Sequence, residues 1–253
     1  MTQQEIATVL DQAAVEAKAT AQMAKNNNMQ LTEAYDIQKT AIDLRLERGE
    51  TIVGYKLGFT SKAKMEQMGV HDMIWGRLTS TMHIKEGDTV SLDRFIHPRV
   101  EPEIAFLVKK DIDKQITMEE LSDYYEGLAL ALEIIDSRYE NFKFSLEDVV
   151  ADNCSSTGFV VGPWLPIHTN VSDLNIQLKF DGETKQEGNT NAILGNPLES
   201  AVEMTRLAIQ NNITLKKGDI ILAGAATAAE FLKPNTKVSA TFETIGDIQF
   251  NIQ

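Results

Sequence analysis

Residues 97–108, HPRVEPEIAFLV, set two glutamates inside a stretch that otherwise belongs in a core. Read as a strand, the segment places Val100, Pro102, Ile104, Phe106 and Val108 on one face. Glu101 and Glu103 fall on the other face, ahead of Ala105 and Leu107. Residues two apart along a strand face are separated by ~6–7 Å, so both carboxylates can reach one cation. A third acid, Glu133, stands alone in the apolar run LALALEIID, 128–136. Three carboxylates gathered away from bulk water repel one another and resist losing hydration unless a positive ion joins them. An all-oxygen set of this kind suits Mg2+ or Mn2+, with water or substrate in the open positions. Alone, the Glu-Pro-Glu pair reads more readily as a solvated face of an edge strand. Glu133 tips the balance toward a metal, although a salt-bridged core glutamate is the alternative for it.

Lys56 is the second residue of chemical interest. It lies mid-strand in TIVGYKLGFT, 51–60, with Gly54 and Gly58 as its neighbours on that face. Glycine within a strand often marks the close approach of a ligand or of another backbone. A lysine between two such gaps can bind a carboxylate or move a proton; a surface lysine on an edge strand fits the segment equally well. A third region, 136–162, collects Asp136, Arg138, Asp152, Asn153, Ser155, Ser156 and Thr157 between apolar stretches, as a pocket loop or an ordinary connection does. Cys154, with no histidine in its segment, reads as a small buried thiol. His71, His83, His97 and His168 show no metal-ligand spacing, and no phosphate-binding glycine pattern is present.

The elements that must carry these residues follow from periodicity. Ile6, Leu10, Ala13 and Ala17 predict a first helix broken by the asparagines at 26–28. Thr32 to Gly49 predicts a second, with Thr32 as N-cap. Together they suggest a helical lobe over 1–50, ahead of a strand-rich domain over 51–253. In the strand at 51–60 the alternation puts Val53, Tyr55, Leu57 and Phe59 on the face opposite Ile52, Gly54, Lys56 and Gly58. A short helix is expected over 61–69, from Ser61 to Gly69, and another over 117–126. The run 128–136 suits a buried strand or the end of that second helix. Further strands are expected at 158–162, 174–181, 219–224 and 237–251, with a helix at 198–211. Strands dominate without regular β-α-β alternation, which predicts an α+β fold with a mixed-sheet roll.

Bulk properties bound the partners. A net charge of −13 and an acidic pI near 4.8 weigh against nucleic acid or an anionic membrane surface. The single cysteine excludes an intrachain disulfide framework, and the acidic-polar N-terminus lacks the plan of a signal peptide. A cytoplasmic location is the resulting expectation.

The segments GYKLGFTSKAKMEQMGV, HPRVEPEIAF, LEIIDSRYENFKF, VVADNCSST and GDIILAGAATAA, in this order, resemble the hydratase/decarboxylase group of the fumarylacetoacetate hydrolase superfamily from about residue 30 onward. The resemblance implies a mixed β-roll behind an N-terminal helical region. It implies a divalent metal, usually magnesium, on Glu101, Glu103 and Glu133, an active-site lysine at Lys56, and a serine, Ser155 or Ser156, near the ligand. It implies decarboxylation of 2-oxohex-3-enedioate or hydration of 2-hydroxypenta-2,4-dienoate, neighbouring steps of aromatic meta-cleavage catabolism. Homo-oligomers, and a complex of decarboxylase with hydratase, are also implied. DSRYENFKF and MIWG resemble the decarboxylases; the hydratases typically carry an aspartate at the position of Ile74. Gly158 departs from the arginine that decarboxylases often carry there, which bears on how a second carboxylate is held. Outside these readings stand hydrolysis of a carbon–carbon bond in an acylpyruvate, for which no histidine–acid pair is evident, and a non-catalytic ligand-binding protein.

Overall fold

The computed structural model describes residues 1–61, 65–66, 69–70 and 72–253. Its strands in chain order are β1 (Ile52–Gly58), β2 (Ile74–Thr79), β3 (His83–Ile84), β4 (Thr89–Val90), β5 (Arg99–Val108), β6 (Tyr125–Ile135) and β7 (Ser156–Val161). These are followed by β8 (Leu165–Pro166), β9 (Asn175–Phe180), β10 (Glu183–Asn189), β11 (Ile220–Leu222), β12 (Glu230–Phe231), β13 (Thr236–Phe242) and β14 (Gly246–Ile252). One sheet runs β2-β1-β11-β5-β6-β7-β3, with β12 also on β5 and β8 on β6; the other runs β10-β9-β13-β14-β4. The pairs β1–β11, β3–β7 and β4–β14 are parallel and the other pairs antiparallel, so both sheets are mixed. The expected α+β roll is the observed architecture.

The apolar face of β5 seals the two sheets together. Val100, Ile104 and Phe106 share one buried cluster with Leu128, Leu130 and Leu132 of β6, Leu178 of β9, Val238 of β13, and Ile248 and Phe250 of β14. Helix Pro197–Gln210, started by Pro197 and capped by Asn196 on the Leu198 N–H at 3.1 Å, adds Ala201, Met204 and Ala208 to the same core. On the other side of the first sheet, Ile6, Leu10 and Ile37 of the N-terminal helices bury against Ile74, Tyr139, Val149 and Cys154.

Several boundaries differ from the periodicity, each for a local reason. The first helix spans Gln3–Glu16 and ends where Ala17 turns left-handed at φ 50°; the asparagines at 26–27 close a separate short helix, Ala24–Asn27. The next helix, Leu31–Glu47, starts from Gln30 instead of Thr32, because Glu33 reaches back to the Gln30 N–H at 2.8 Å. The helix expected over 117–126 is confined to Leu121–Tyr124, since Tyr125 already enters β6 as a fully buried residue. The expected strand at 237–251 is the hairpin β13–β14, turning at residues 243–245. β10, ETKQEGN, has no apolar residue and so gave no alternation to read. The helix expected over 61–69 lies in part outside the described residues, as does His71.

In β1 a register shift between Ile52 and Gly54 interrupts the alternation, so Val53 joins the cluster of Leu78, Ala105 and Leu222 instead of the face of Tyr55 and Leu57. Gly54 sits at the shift, and a Cβ there would lie 1.9 Å from the Ile220 carbonyl oxygen. What approaches Gly54 closely is therefore the backbone of β11. Gly58, by contrast, lines a cavity.

Candidate metal centre and active site

β5 lies between β11 and β6, so its glutamates are on an interior strand and the solvated-edge reading does not hold. The register pairs Glu101 with Glu133 directly across the β5–β6 ladder, and Glu103 with Ala131. All three carboxylates consequently share one face, and one oxygen from each lies within 4.8 Å of the others. Glu103 and Glu133 are fully buried and Glu101 is half-buried. Like charges opposed across a ladder destabilise it, and here the opposed pair has a third carboxylate beside it.

Lys56 reaches this face through the parallel and antiparallel registers Lys56–Leu222 and Leu222–Ala105. Only 4% of it is exposed, which rules out a surface lysine. Its Nζ lies 2.9 Å from Glu133 Oε2. Burial alone would lower its pKa, but the Glu133 charge, assisted by Glu103 and Glu101, outweighs that and raises it. Glu103 is pushed well above the usual carboxylate range, by burial first and then by Glu133 and Glu101, against the pull of Lys56 and a backbone N–H. Glu103 and Glu133, both fully buried, share the single Lys56 ammonium, with Glu101 beside them. Glu103 Oε1 and both Glu133 oxygens are buried without a hydrogen-bond partner among the described residues; the Lys56 ammonium stands at ion-pair distance from Glu133 without hydrogen-bond alignment. Convergent carboxylate oxygens, those of Glu103 and Glu133 buried and unsatisfied, fit a hard divalent cation such as magnesium.

The site opens because β11 ends early. After Leu222 the chain leaves β5, and the Gly224 N–H donates to Glu103 Oε2 at 2.8 Å. Gly224 has φ 101°, and a Cβ there would lie 2.2 Å from Thr60 Oγ1, so no other residue fits this turn unchanged. The chain returns to β5 only at β12. Between them, Ala225, Ala226, Thr227, Ala228 and Ala229 wall a cavity of about 940 Å3 whose lining also includes Lys56, Glu101, Arg99, Ile74 and Ser155. Small side chains here leave volume open where larger ones would fill it.

Ser155 arrives on an uncommon backbone. Helix Leu146–Ala151 ends at Asp152, and Asn153, Cys154 and Ser155 then follow with φ of 50°, 52° and 58°. Left-handed backbone costs non-glycine residues ~1–2 kcal/mol each. Three ties hold it: the buried Arg138–Asp152 ion pair, the Asn153 side chain bonded to Arg77 N–H and C=O at 2.7 and 2.8 Å, and the Cys154 thiol donating to the Trp75 carbonyl at 3.1 Å. Burial pushes the Cys154 thiol up to about 12, so it is no nucleophile. Of the two serines, Ser155 lines the cavity. Ser156 begins β7 and lines a separate cleft of about 30 Å3 beside Arg45 and Arg138. Gly158, opposite Ile134, faces Ile84 and Ile134 in the core, so an arginine at that position would not point into the cavity.

The period-two pattern that exposed Glu101 and Glu103 also puts Arg99 on their face, one strand repeat earlier, and this residue was not singled out. The alanine wall and the aromatic residues Phe142 and Phe144 carried no comparable signal.

Magnesium binding here is expected to raise the melting temperature, because the folded state alone assembles the site. At a concentration 100-fold above Kd the gain is about 2.7 kcal/mol, or roughly 5–10 °C for a chain of this size. Differential scanning fluorimetry with magnesium, then with excess chelator, reads the rise and its reversal.

Among the described residues no helix is long and apolar enough to cross a membrane. The chain is 49% identical over 246 residues, 97% of its length and 96% of the relative's, to a 4-oxalocrotonate decarboxylase of a Pseudomonas species. It is 34% identical to a 2-keto-4-pentenoate hydratase of Burkholderia vietnamiensis, over 86% of this chain and 84% of the relative. In structure it matches a 4-oxalocrotonate decarboxylase from Pseudomonas putida G7, complexed with magnesium and adipate, with a TM-score of 0.94, 29% identity, and coverage of 100% and 99% of the two chains. Relatives of both kinds are lyases. Residues 51–253 match the family described as fumarylacetoacetate hydrolase C-terminal, and the chain belongs to that family.

Proposed function

We propose that this chain is a magnesium-dependent decarboxylase converting 2-oxohex-3-enedioate (4-oxalocrotonate) to 2-hydroxypenta-2,4-dienoate and carbon dioxide. The observation that carries the reading is the convergence of half-buried Glu101 with buried Glu103 and Glu133, with Lys56 on Glu133, at a cavity where position 74 is isoleucine. Glu101, Glu103 and Glu133 hold the cation, which when bound supplies Lewis acidity to the keto-acid head of the substrate. The electrons of the breaking C5–C6 bond pass through the C3–C4 double bond to the keto oxygen, which takes up a proton to give the dienol. Lys56 places a fixed positive charge next to the oxygen that gains electron density. Ser155, whose hydroxyl has no partner among the described residues, is the substrate-facing hydrogen-bond donor. Ile74, Phe59 and the alanine wall keep water away from the dienolate.

The hydratase relatives favour a second reading, addition of water to the dienoate. Ile74 is the observation against it, because water addition needs an acid–base group where this chain presents an aliphatic one. Separate incubations of protein and magnesium with 2-oxohex-3-enedioate and with 2-hydroxypenta-2,4-dienoate distinguish the two. Carbon dioxide release is expected; consumption of 2-hydroxypenta-2,4-dienoate without it supports the hydratase. The proposal includes a cytoplasmic homo-oligomer able to associate with a hydratase that consumes its product. Its support is the family resemblance, and light scattering with and without a hydratase tests the assembly.

A further inference from the structure

Arg99 lines the same cavity as the glutamates, one strand repeat before Glu101 and on the same face of β5. Its guanidinium packs over two rings, 4.3 Å from the centroid of Phe142 and 4.1 Å from that of Phe231. Aromatic rings cover the flat faces of a guanidinium and leave its edge, the fork of N–H donors, for acceptors lying in its plane. The Nε is buried without a hydrogen-bond partner, and among the described residues Arg99 makes no ion pair, although it feels the charges of Glu101 and Glu230. A half-buried fork set against two rings, with a buried Nε that finds no acceptor among the described residues, is built for one that arrives from outside, and a carboxylate is its planar complement. One strand repeat, ~6.6 Å, separates Arg99 from Glu101, a distance crossed by a chain of a few carbon atoms.

We propose that Arg99 binds the far carboxylate of a dicarboxylate whose keto-acid end is held at the glutamate cluster. This rests on the keto-acid reading of that site and deepens it, since it makes two acid groups the criterion of selection. It also supplies the second-carboxylate partner in a chain with glycine at 158. The bond to Arg99 forms before the reaction, so Arg99 serves binding and orientation, not bond breaking.

The test compares two unreactive ligands of equal chain length, 2-oxoadipate and 2-oxohexanoate, whose magnesium-dependent dissociation constants are measured by calorimetry. The parent protein is expected to prefer the dicarboxylate. Arg99→Met, which keeps an apolar chain against the two rings, weakens 2-oxoadipate ~10–100-fold, in line with a charge-assisted pair, and leaves 2-oxohexanoate within about twofold. Arg99→Lys, with the charge but not the fork, retains part of the preference. Lys143→Met, at an exposed cation also lining the cavity, leaves the ratio unchanged. Equal losses for both ligands in Arg99→Met would show that Arg99 steadies the glutamates, and would overturn the proposal. So would a parent protein without preference, or a preference abolished by Lys143→Met. Magnesium-dependent binding of neither ligand, in a protein that binds magnesium, would instead refute the keto-acid reading.

Discussion

Replacing Glu103 with glutamine abolishes turnover and the magnesium-dependent rise in melting temperature, while leaving the metal-free protein at least as stable as its parent. The three effects share one cause. Glu103 is fully buried, with one oxygen on the Gly224 N–H and the other unpartnered among two more carboxylates. Glutamine keeps the shape and an acceptor for Gly224, and it removes a charge that burial and Glu133 already disfavour. Losing one of three anionic ligands removes the cation's hold, and several kcal/mol of transition-state stabilisation with it, which is ~10³-fold or more in rate. Fluorimetry with and without magnesium, beside the carbon dioxide assay, reads all three. A variant that still shifts with magnesium and still turns over would remove Glu103 from the site.

Lys56→Met is expected to separate binding from chemistry. Turnover falls by ~10²–10⁴-fold, the range for a group acting on charge or protons in the transition state, and magnesium still binds. Removing one member of a buried pair strands its partner at a cost of about 3–5 kcal/mol, here the Glu133 carboxylate 2.9 Å away. Magnesium supplies a replacement cation, so its thermal shift should exceed the parent's. An unchanged rate would dismiss Lys56 from the reaction. An undiminished metal-free stability would show that its pairing with Glu133 does not support the fold.

The chemistry was more legible in the sequence than its frame. Glu101 and Glu103 betrayed themselves by interrupting an apolar run at strand spacing, and Glu133 by standing alone in another. Both signals are local, so one strand's alternation suffices to read them. That Glu101 faces Glu133 depends on the β5–β6 register, which no single strand encodes. Arg99 obeyed the same alternation but has His97 and Glu101 as its neighbours on that face, where one more charge attracts no notice. The left-handed turn at Asn153–Ser155 was hidden because none of its residues is glycine; its conformation is imposed by ties to Arg77, Trp75 and Arg138 from distant segments. The face of Val53 was misread for a similar reason, since the shift at Gly54 answers to β11.

The anchors and the walls of the cavity belong to different kinds of backbone. Glu101, Glu103 and Glu133 stand on two adjoining interior strands joined by ten residue pairs, whereas most of the enclosing surface is lent by connections such as 59–61, 142–144 and 225–229. Strand register cannot drift without turning acids toward the apolar interior, but connections tolerate substitution and changes of length. Substrate choice can therefore be re-tailored by editing these segments while the inorganic anchor stays put, and a library confined to them should yield altered acceptance far more often than lost metal affinity.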